Sequence, residues 1–187
     1  MRIAITGTHG SGKSTLIGDF LESHGGYLHH REPYWELAEQ GIAFAAAPNV
    51  ADMEEQLEHS VTTILGTAEA ADAIYDRCPV DFIAYLEVLS AEEGDEWEPS
   101  GRQLARIEKA LASLDRVVFV PVRSPDEITA RIERPALRRA VDRRLKQILG
   151  DDDLGLFADG PAIVEISGAR AVRAAALSNL VAGGAGP

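Results

Sequence analysis

Apolar residues recur along this chain in two rhythms that take turns. Short, nearly continuous apolar runs stand at Arg2-Ile3-Ala4-Ile5-Thr6, Tyr27-Leu28-His29-His30, Asp72-Ala73-Ile74-Tyr75-Asp76, Arg116-Val117-Val118-Phe119-Val120 and Ala162-Ile163-Val164-Glu165-Ile166. The first is apolar enough to be a buried strand, the fourth is the clearest strand in the chain, and each has strand length. Between them apolar positions fall at helical spacing. Leu16, Ile17, Phe20 and Leu21 predict a helix over 13–24, stopped at Gly25-Gly26, and Met53, Leu57, Val61, Ile64 and Leu65 predict a long one over 52–71. Pro33 suits the first turn of a helix carrying Trp35, Leu37 and Ala38, and further helices are expected over 79–91, 102–114 and 169–181. Ser124-Pro125-Asp126-Glu127 reads as a helix start, and the stretch after it is broken at Pro135. Strands alternating with helices imply one α/β domain over 1–182, a parallel sheet wrapped on both faces, with 183–187 expected to be a disordered tail. In such a sheet ligands gather at the carboxyl ends of the strands.

Composition narrows the class. The 187 residues suffice for a sizeable core. One cysteine, Cys78, allows no internal disulfide, and no apolar run approaches membrane-spanning length, so the cytoplasm is the expected compartment and no membrane partner is expected. The net charge of −12 argues against a nucleic acid polymer as partner, since such affinity rests on phosphate neutralisation by Lys and Arg. The cations are nevertheless crowded: Arg123, Arg131, Arg134, Arg138, Arg139, Arg143, Arg144 and Lys146 share one short stretch. An acidic protein with one local basic site suits a small phosphorylated ligand. Helices 52–71 and 79–91 offer a possible homodimer face.

The first strand leads directly into Gly7-Thr8-His9-Gly10-Ser11-Gly12-Lys13-Ser14, which fits G-x-x-x-x-G-K-[ST]. A Gly-rich turn between a strand and a helix points successive backbone N–H groups inward and sets a positive helix end against a phosphate. Gly7, His9, Gly10, Ser11, Gly12, Lys13, Ser14 and Thr15 are therefore the expected nucleotide cradle. Lys13 is placed to reach the β- and γ-phosphates of ATP and Ser14 to ligate Mg²⁺.

Two further groups stand where strand ends would bring them to the same rim. After the second strand comes Arg31-Glu32-Pro33-Tyr34-Trp35, and after the third Asp76-Arg77-Cys78-Pro79. Phosphoryl transfer to a hydroxyl needs a positioned acceptor, a metal across the phosphates and a carboxylate to take the proton. Glu32 is the candidate base, Asp76 joins Ser14 in the metal's shell, and Arg77 holds the acceptor or a phosphate. Structural alternatives exist for each: Glu32 favouring a helix dipole, Asp76 capping the next helix, Arg77 in a surface ion pair. Tyr34 and Trp35 read as core residues before substrate stackers, Cys78 as packing, and His29 and His30 as strand-end residues. Arg131 and Arg134 form an i,i+3 pair followed by Arg138, and a mobile segment bringing them over the phosphates would stabilise transition-state charge and exclude water. The scattered histidines and single cysteine give no zinc-type spacing.

In this order the motifs resemble those of the P-loop nucleoside and nucleotide kinases. Glu32-Pro33 with Trp35 is similar to the Glu-Pro…Trp signature of deoxynucleoside kinases, whose glutamate is the base, and Arg31-Glu32-Pro33 to the Arg-Glu-Pro of thymidylate kinases. Asp76-Arg77 matches the Asp-Arg or Glu-Arg step of both, and residues 75–86 resemble bacterial ATPase-type domains related to nicotinamide riboside kinase. The resemblance spans about 1–170. It implies a three-layer α/β/α P-loop NTPase fold with a five-stranded parallel sheet and an arginine-rich lid at about 131–144. It also implies an adenine pocket between lid arginines, Arg131 among them, and the loop around Ser167-Gly168-Ala169-Arg170. Departures fall on the acceptor side: Tyr34-Trp35 replace the glycines that follow Arg-Glu-Pro in thymidylate kinases, and Cys78-Pro79 stand where Ser or Tyr often follows Asp-Arg. The expected activity is transfer of the γ-phosphoryl group of ATP to a hydroxyl of a nucleoside-like small molecule. The alternatives are a nucleoside monophosphate kinase and a regulatory NTP-binding module. The guanine-reading Asn-Lys-x-Asp of GTPases is absent, and Asp152-Asp153-Leu154-Gly155 falls too late to be a switch motif.

Overall fold

The computed structural model describes residues 1–124 and 132–183. The expected helix start at Ser124 runs into 125–131, and that segment, Arg131 included, lies outside the described residues, as do 184–187. Among the described residues the order is β1 (Arg2–Thr6), α1 (Lys13–Ser23), β2 (Leu28–His30), α2 (Pro33–Glu39), α3 (Val50–Gly66), β3 (Ala73–Asp76), α4 (Pro79–Glu93), α5 (Gly101–Ala112), β4 (Arg116–Phe119), α6 (Pro135–Asp151), β5 (Ala162–Glu165) and α7 (Arg170–Gly183). The sheet is parallel throughout, in the order β2-β3-β1-β4-β5, with Ile3 beside Ile74 on one flank and Arg116 on the other. β1 is therefore the central strand, and the turn that leaves it lies in the middle of the carboxyl rim.

Alternate residues of the strands feed two separate cores. Ile3, Ile5, Ile74 and Val118 pack with Leu16, Ile17 and Phe20 of α1 and Leu177 of α7. Ala4, Tyr75, Val117 and Phe119 face α3, α4, α5 and α6, through Leu57, Phe82, Ile83, Leu111 and Leu145 among others. Burial of each such large side chain contributes about 1.5–3 kcal/mol. The result is three layers, helix, sheet and helix, as the strand–helix alternation implies. No helix among the described residues is long and apolar enough to cross a membrane.

Where element ends differ from the periodicity, a cap accounts for it. The long helix starts at Val50, not 52, because Asn49 accepts a hydrogen bond from the Asp52 N–H at 2.9 Å. It stops at Gly66, short of 71, where the Thr67 hydroxyl turns to the Thr63 carbonyl (2.7 Å) and the Tyr75 hydroxyl (2.8 Å). Pro135 opens α6 at the first turn, where its missing N–H has no helical partner to lose. Gly183, expected in the tail, is the last residue of α7.

Candidate active site

The turn from β1 into α1 adopts the backbone its glycines permit. Gly7 has φ 150° and Gly12 φ 91°, and a Cβ on Gly7 would lie 2.6 Å from the Val120 carbonyl oxygen. The Gly7 N–H donates to Asp81 Oδ1 (2.9 Å) and the His9 N–H to the Tyr85 hydroxyl (3.0 Å), so two residues one turn apart on α4 anchor the loop. A cavity of about 260 Å³ opens along the loop, lined by Gly10, Gly12, Lys13, Ser14 and Thr15. The buried Lys13 ammonium donates to the Thr8 carbonyl at 3.1 Å. Burial and the neighbouring Arg77 lower the Lys13 pKa, against the pull of Asp76, Glu32 and Asp81.

Beside the loop, β2 and β3 deliver their terminal residues. Ser14 donates its hydroxyl hydrogen to Asp76 Oδ2 at 2.7 Å, while Asp76 Oδ1 is buried without a hydrogen-bond partner. An unused buried carboxylate oxygen next to a hydroxyl oxygen is a donor set that suits Mg²⁺, a hard cation that takes few protein oxygens and completes its shell with phosphate and water. Among the described residues no group of three or more His, Cys, Asp or Glu could hold a metal unaided.

Arg77 occupies a left-handed conformation, φ 80°, that a non-glycine residue keeps only when its surroundings impose it. Its surroundings do: Nε donates to Glu32 Oε1 (2.5 Å), Nη1 donates to the Gly7 carbonyl (3.1 Å) and to Asp81 Oδ1 (3.3 Å), and the guanidinium lies 5.4 Å from the Tyr85 ring centre. Asp81 is fully buried, and burial raises its pKa against the pull of Arg77 and Lys13. For Glu32, burial works to raise the pKa, but the charges of Arg77 and Lys13 prevail and hold it below the ordinary value, as a carboxylate. Among the described residues no donor reaches its second oxygen.

A second cavity of about 280 Å³ adjoins the first, walled by α2, α3 and α4 through Tyr34, Phe44, Asp52, Gln56 and Phe82. His9, Glu32 and Arg77 line both cavities. The His9 ring sits 2.8 Å from the Tyr85 hydroxyl through Nδ1. Burial, followed by the charges of Arg77, Lys13 and Arg138, lowers its pKa to about 4, so it is neutral at pH 7.

The other expected residues divide. Arg134 lines the second cavity, with Nη1 buried and unpartnered and Glu92 as a loose partner at 3.9 Å. Arg138 is buried on α6 and donates to the carbonyls of His9 (3.1 Å) and Gly10 (3.0 Å), at the back of the loop. Arg170 pairs with Asp19 on the outer side of α1 (2.6 Å) and lines neither cavity. Neither aromatic after Pro33 is core: Tyr34 stacks on Phe44 at 5.0 Å on the cavity wall, and Trp35, 56% exposed, lies off it. Cys78 packs as expected, its thiol pushed well up by burial, and its main chain caps α4 through Asp81 Oδ2 (3.0 Å).

Three residues join the site that the sequence reading left without roles. Asp81 sits three residues after the cap of α4, the spacing of a capping box, and Tyr85 follows one turn later. Arg173, buried on α7, donates to the Ser11 carbonyl at 2.9 Å. Its only mark in the sequence is being a cation on the apolar face of an alanine-rich helix.

A family model described as an AAA domain matches residues 2–154, from β1 past the end of α6. The chain belongs to that family. No curated protein matches the sequence. Among solved structures, deoxyadenosine kinase from M. mycoides with bound dATP superposes with a TM-score of 0.64 at 15% identity, over 97% of this chain and 100% of that one. Thymidylate kinase from Candida albicans gives 0.58 at 15% identity, over 97% and 91%. NadR protein in complex with NAD and AMP-PNP gives 0.59 at 16% identity, over 97% of this chain and 49% of that one. The fold is that of the P-loop nucleoside and nucleotide kinases, and the P-loop, Glu32 and the Asp76-Arg77 step stand on its carboxyl rim.

Proposed function

We propose that the chain is an ATP-dependent phosphotransferase that moves the γ-phosphoryl group to a hydroxyl of a nucleoside or nucleoside-like small molecule. The observation that carries this reading is the sharing of Glu32, Arg77 and His9 by the P-loop cavity and its neighbour. A carboxylate at such a junction is within reach of both a phosphoryl group on one side and a hydroxyl on the other.

The P-loop amides and Lys13 would bind the phosphates, with Ser14 and Asp76 holding Mg²⁺. When bound, the metal would draw charge from the phosphate oxygens. Glu32 would accept the hydroxyl proton on its second oxygen as the new O–P bond forms and the bond from the γ-phosphorus to the bridging oxygen breaks, releasing ADP, while Arg77 keeps it ionised and fixed. The Tyr85 hydroxyl holds His9 at the junction through its N–H (3.0 Å) and Nδ1 (2.8 Å). The acceptor cavity, at about 280 Å³, is of small-molecule size, and the Tyr34–Phe44 pair offers an aromatic face to a planar base.

Charge supports a hydroxyl acceptor. Arg77 is already committed to two carboxylates and a carbonyl, and Glu32, Asp52 and Glu133 line the same cavity. One observation favours the second reading, a monophosphate acceptor: the unpartnered Nη1 of Arg134 on the cavity wall. The two are separated by ADP release from Mg-ATP across nucleosides and nucleoside monophosphates, with Glu32→Gln beside the parent. Release driven by nucleosides and reduced in Glu32→Gln by about 10²–10⁴-fold supports the base. Release driven only by monophosphates and indifferent to Glu32→Gln supports the alternative. Release that no acceptor alters removes both.

A further inference from the structure

Five consecutive carbonyls of the P-loop are each held by a cationic side chain. Gly7 accepts from Arg77 (3.1 Å), Thr8 from Lys13 (3.1 Å), His9 and Gly10 from Arg138 (3.1 and 3.0 Å), and Ser11 from Arg173 (2.9 Å). The next carbonyl, Gly12, passes into the helix by accepting the Leu16 N–H at 3.0 Å. The four cations come from four places: the end of β3, the start of α1, the first turns of α6 and the first turns of α7. All four are buried, at 4–6% exposure.

Arg77 and Lys13 border the phosphate cavity; Arg138 and Arg173 do not. The geometry points to Arg138 and Arg173 as positioning residues that set the P-loop from behind, in contrast to arginines that close over the transferring phosphoryl group. A phosphate nest forms only when successive N–H groups converge, which requires the intervening carbonyls to point away. Three such carbonyls, of His9, Gly10 and Ser11, lie against the α6 and α7 side, where the two arginines satisfy them. A guanidinium with donors in a fixed fork meets two neighbouring carbonyls at once, as Arg138 does, while bringing positive charge to a site for polyanions. The contacts also join the loop to helices from the far end of the chain. α6 begins directly after Arg134, so its placement and the shape of the nest are mechanically connected through Arg138.

The test uses Arg138→Gln and Arg173→Gln, with the two Arg→Lys variants, which keep the charge on a single donor nitrogen and lose the guanidinium fork. The first measurement is hydrogen exchange of the peptide spanning residues 7–14 in the protein without nucleotide. Positioning predicts exchange roughly tenfold faster in each Gln variant, the scale of losing one or two charged hydrogen bonds, with an intermediate gain in Lys variants and no change in β3 peptides. The second is Mg-ATP affinity beside the single-turnover rate at saturating nucleotide. Affinity is expected to fall about tenfold and the rate to stay within about threefold. Unchanged P-loop exchange in all folded variants overturns the inference. So does intact affinity with a rate reduced a hundredfold or more, the behaviour of transition-state arginines. The second arm rests on the phosphotransferase reading. If the parent protein binds no Mg-ATP, that reading fails, while exchange still decides the role of the two arginines. Should a Gln variant fail to fold, its Lys counterpart gives the same decision.

Discussion

At the scale of single residues, the site is a set of ionisable groups whose environments push them in opposite directions. Glu32 and Arg77 show this most plainly. Burial alone would raise the Glu32 pKa above 4.5, and the guanidinium 2.5 Å away more than offsets it. With Glu32 as the base proposed above, the reactive form would be the carboxylate, and the acid limb of kcat/KM should lie below that ordinary value. In Arg77→Met burial loses its main counter-charge while that of Lys13 remains, and the limb should move up from its position in the parent, along with a lower plateau. A limb that stays in place in that variant would remove Glu32 as the titrating base. His9 carries a stability signature of opposite use. Its folded pKa of about 4 is depressed from 6.5, so the unfolded chain takes up a proton that the folded chain refuses. That contribution is fully present above pH 6.5 and is lost as pH falls toward 4. His9→Gln should therefore lose less stability between pH 7 and pH 4.5 than the parent does, measured by urea midpoints at the two pH values.

At the scale of elements, the strand–loop–helix unit was legible because its chemistry is local. A buried strand, fixed glycines and an apolar-faced helix sit within two dozen residues, so their pattern can be read without knowing what packs on them. Gly7→Ala should lose stability by about 1–3 kcal/mol, since its φ and the Val120 carbonyl 2.6 Å from a Cβ both oppose a side chain. A two-state denaturation curve reads it directly. Ser100 offers a comparison far from the rim. It caps α5 in a box with Gln103, and Ser100→Ala should cost about 1 kcal/mol of stability with turnover unaltered. Element ends were less legible because they are set by single side chains. Asn49 and Thr67 move the limits of α3 by two and five residues from where apolar periodicity alone puts them. Pro135 illustrates the same ambiguity, since a proline inside a helical pattern reads as a break or as a first turn until its neighbours are placed.

At the scale of the whole molecule, the parallel sheet converts sequence positions 7–15, 32 and 76–77 into one rim, as strand-end reasoning implies. What the sequence could not convey is which distant cations turn toward that rim and which turn away. Arg138 and Arg170 look alike as arginines of basic or helix-opening stretches. Yet one reaches the back of the P-loop and the other pairs with Asp19 outside α1. Those outcomes depend on how α6 and α7 pack on the sheet, a long-range matter with no local mark. Arg173 and Tyr85 were missed for the same reason. The second cavity is also a tertiary product, assembled from α2, the segment around Phe44, α3 and α4. The central claim is chemical transfer across the shared wall of two cavities, and the fate of the phosphoryl group tests it most directly. Incubation with ATP carrying heavy oxygen in its γ-phosphoryl group and a panel of nucleosides and nucleoside monophosphates, followed by product mass, traces that group. The account predicts the label in a nucleoside monophosphate, at a rate that collapses in Glu32→Gln. Label found only in inorganic phosphate, or in a nucleoside diphosphate formed from added monophosphate, would contradict it.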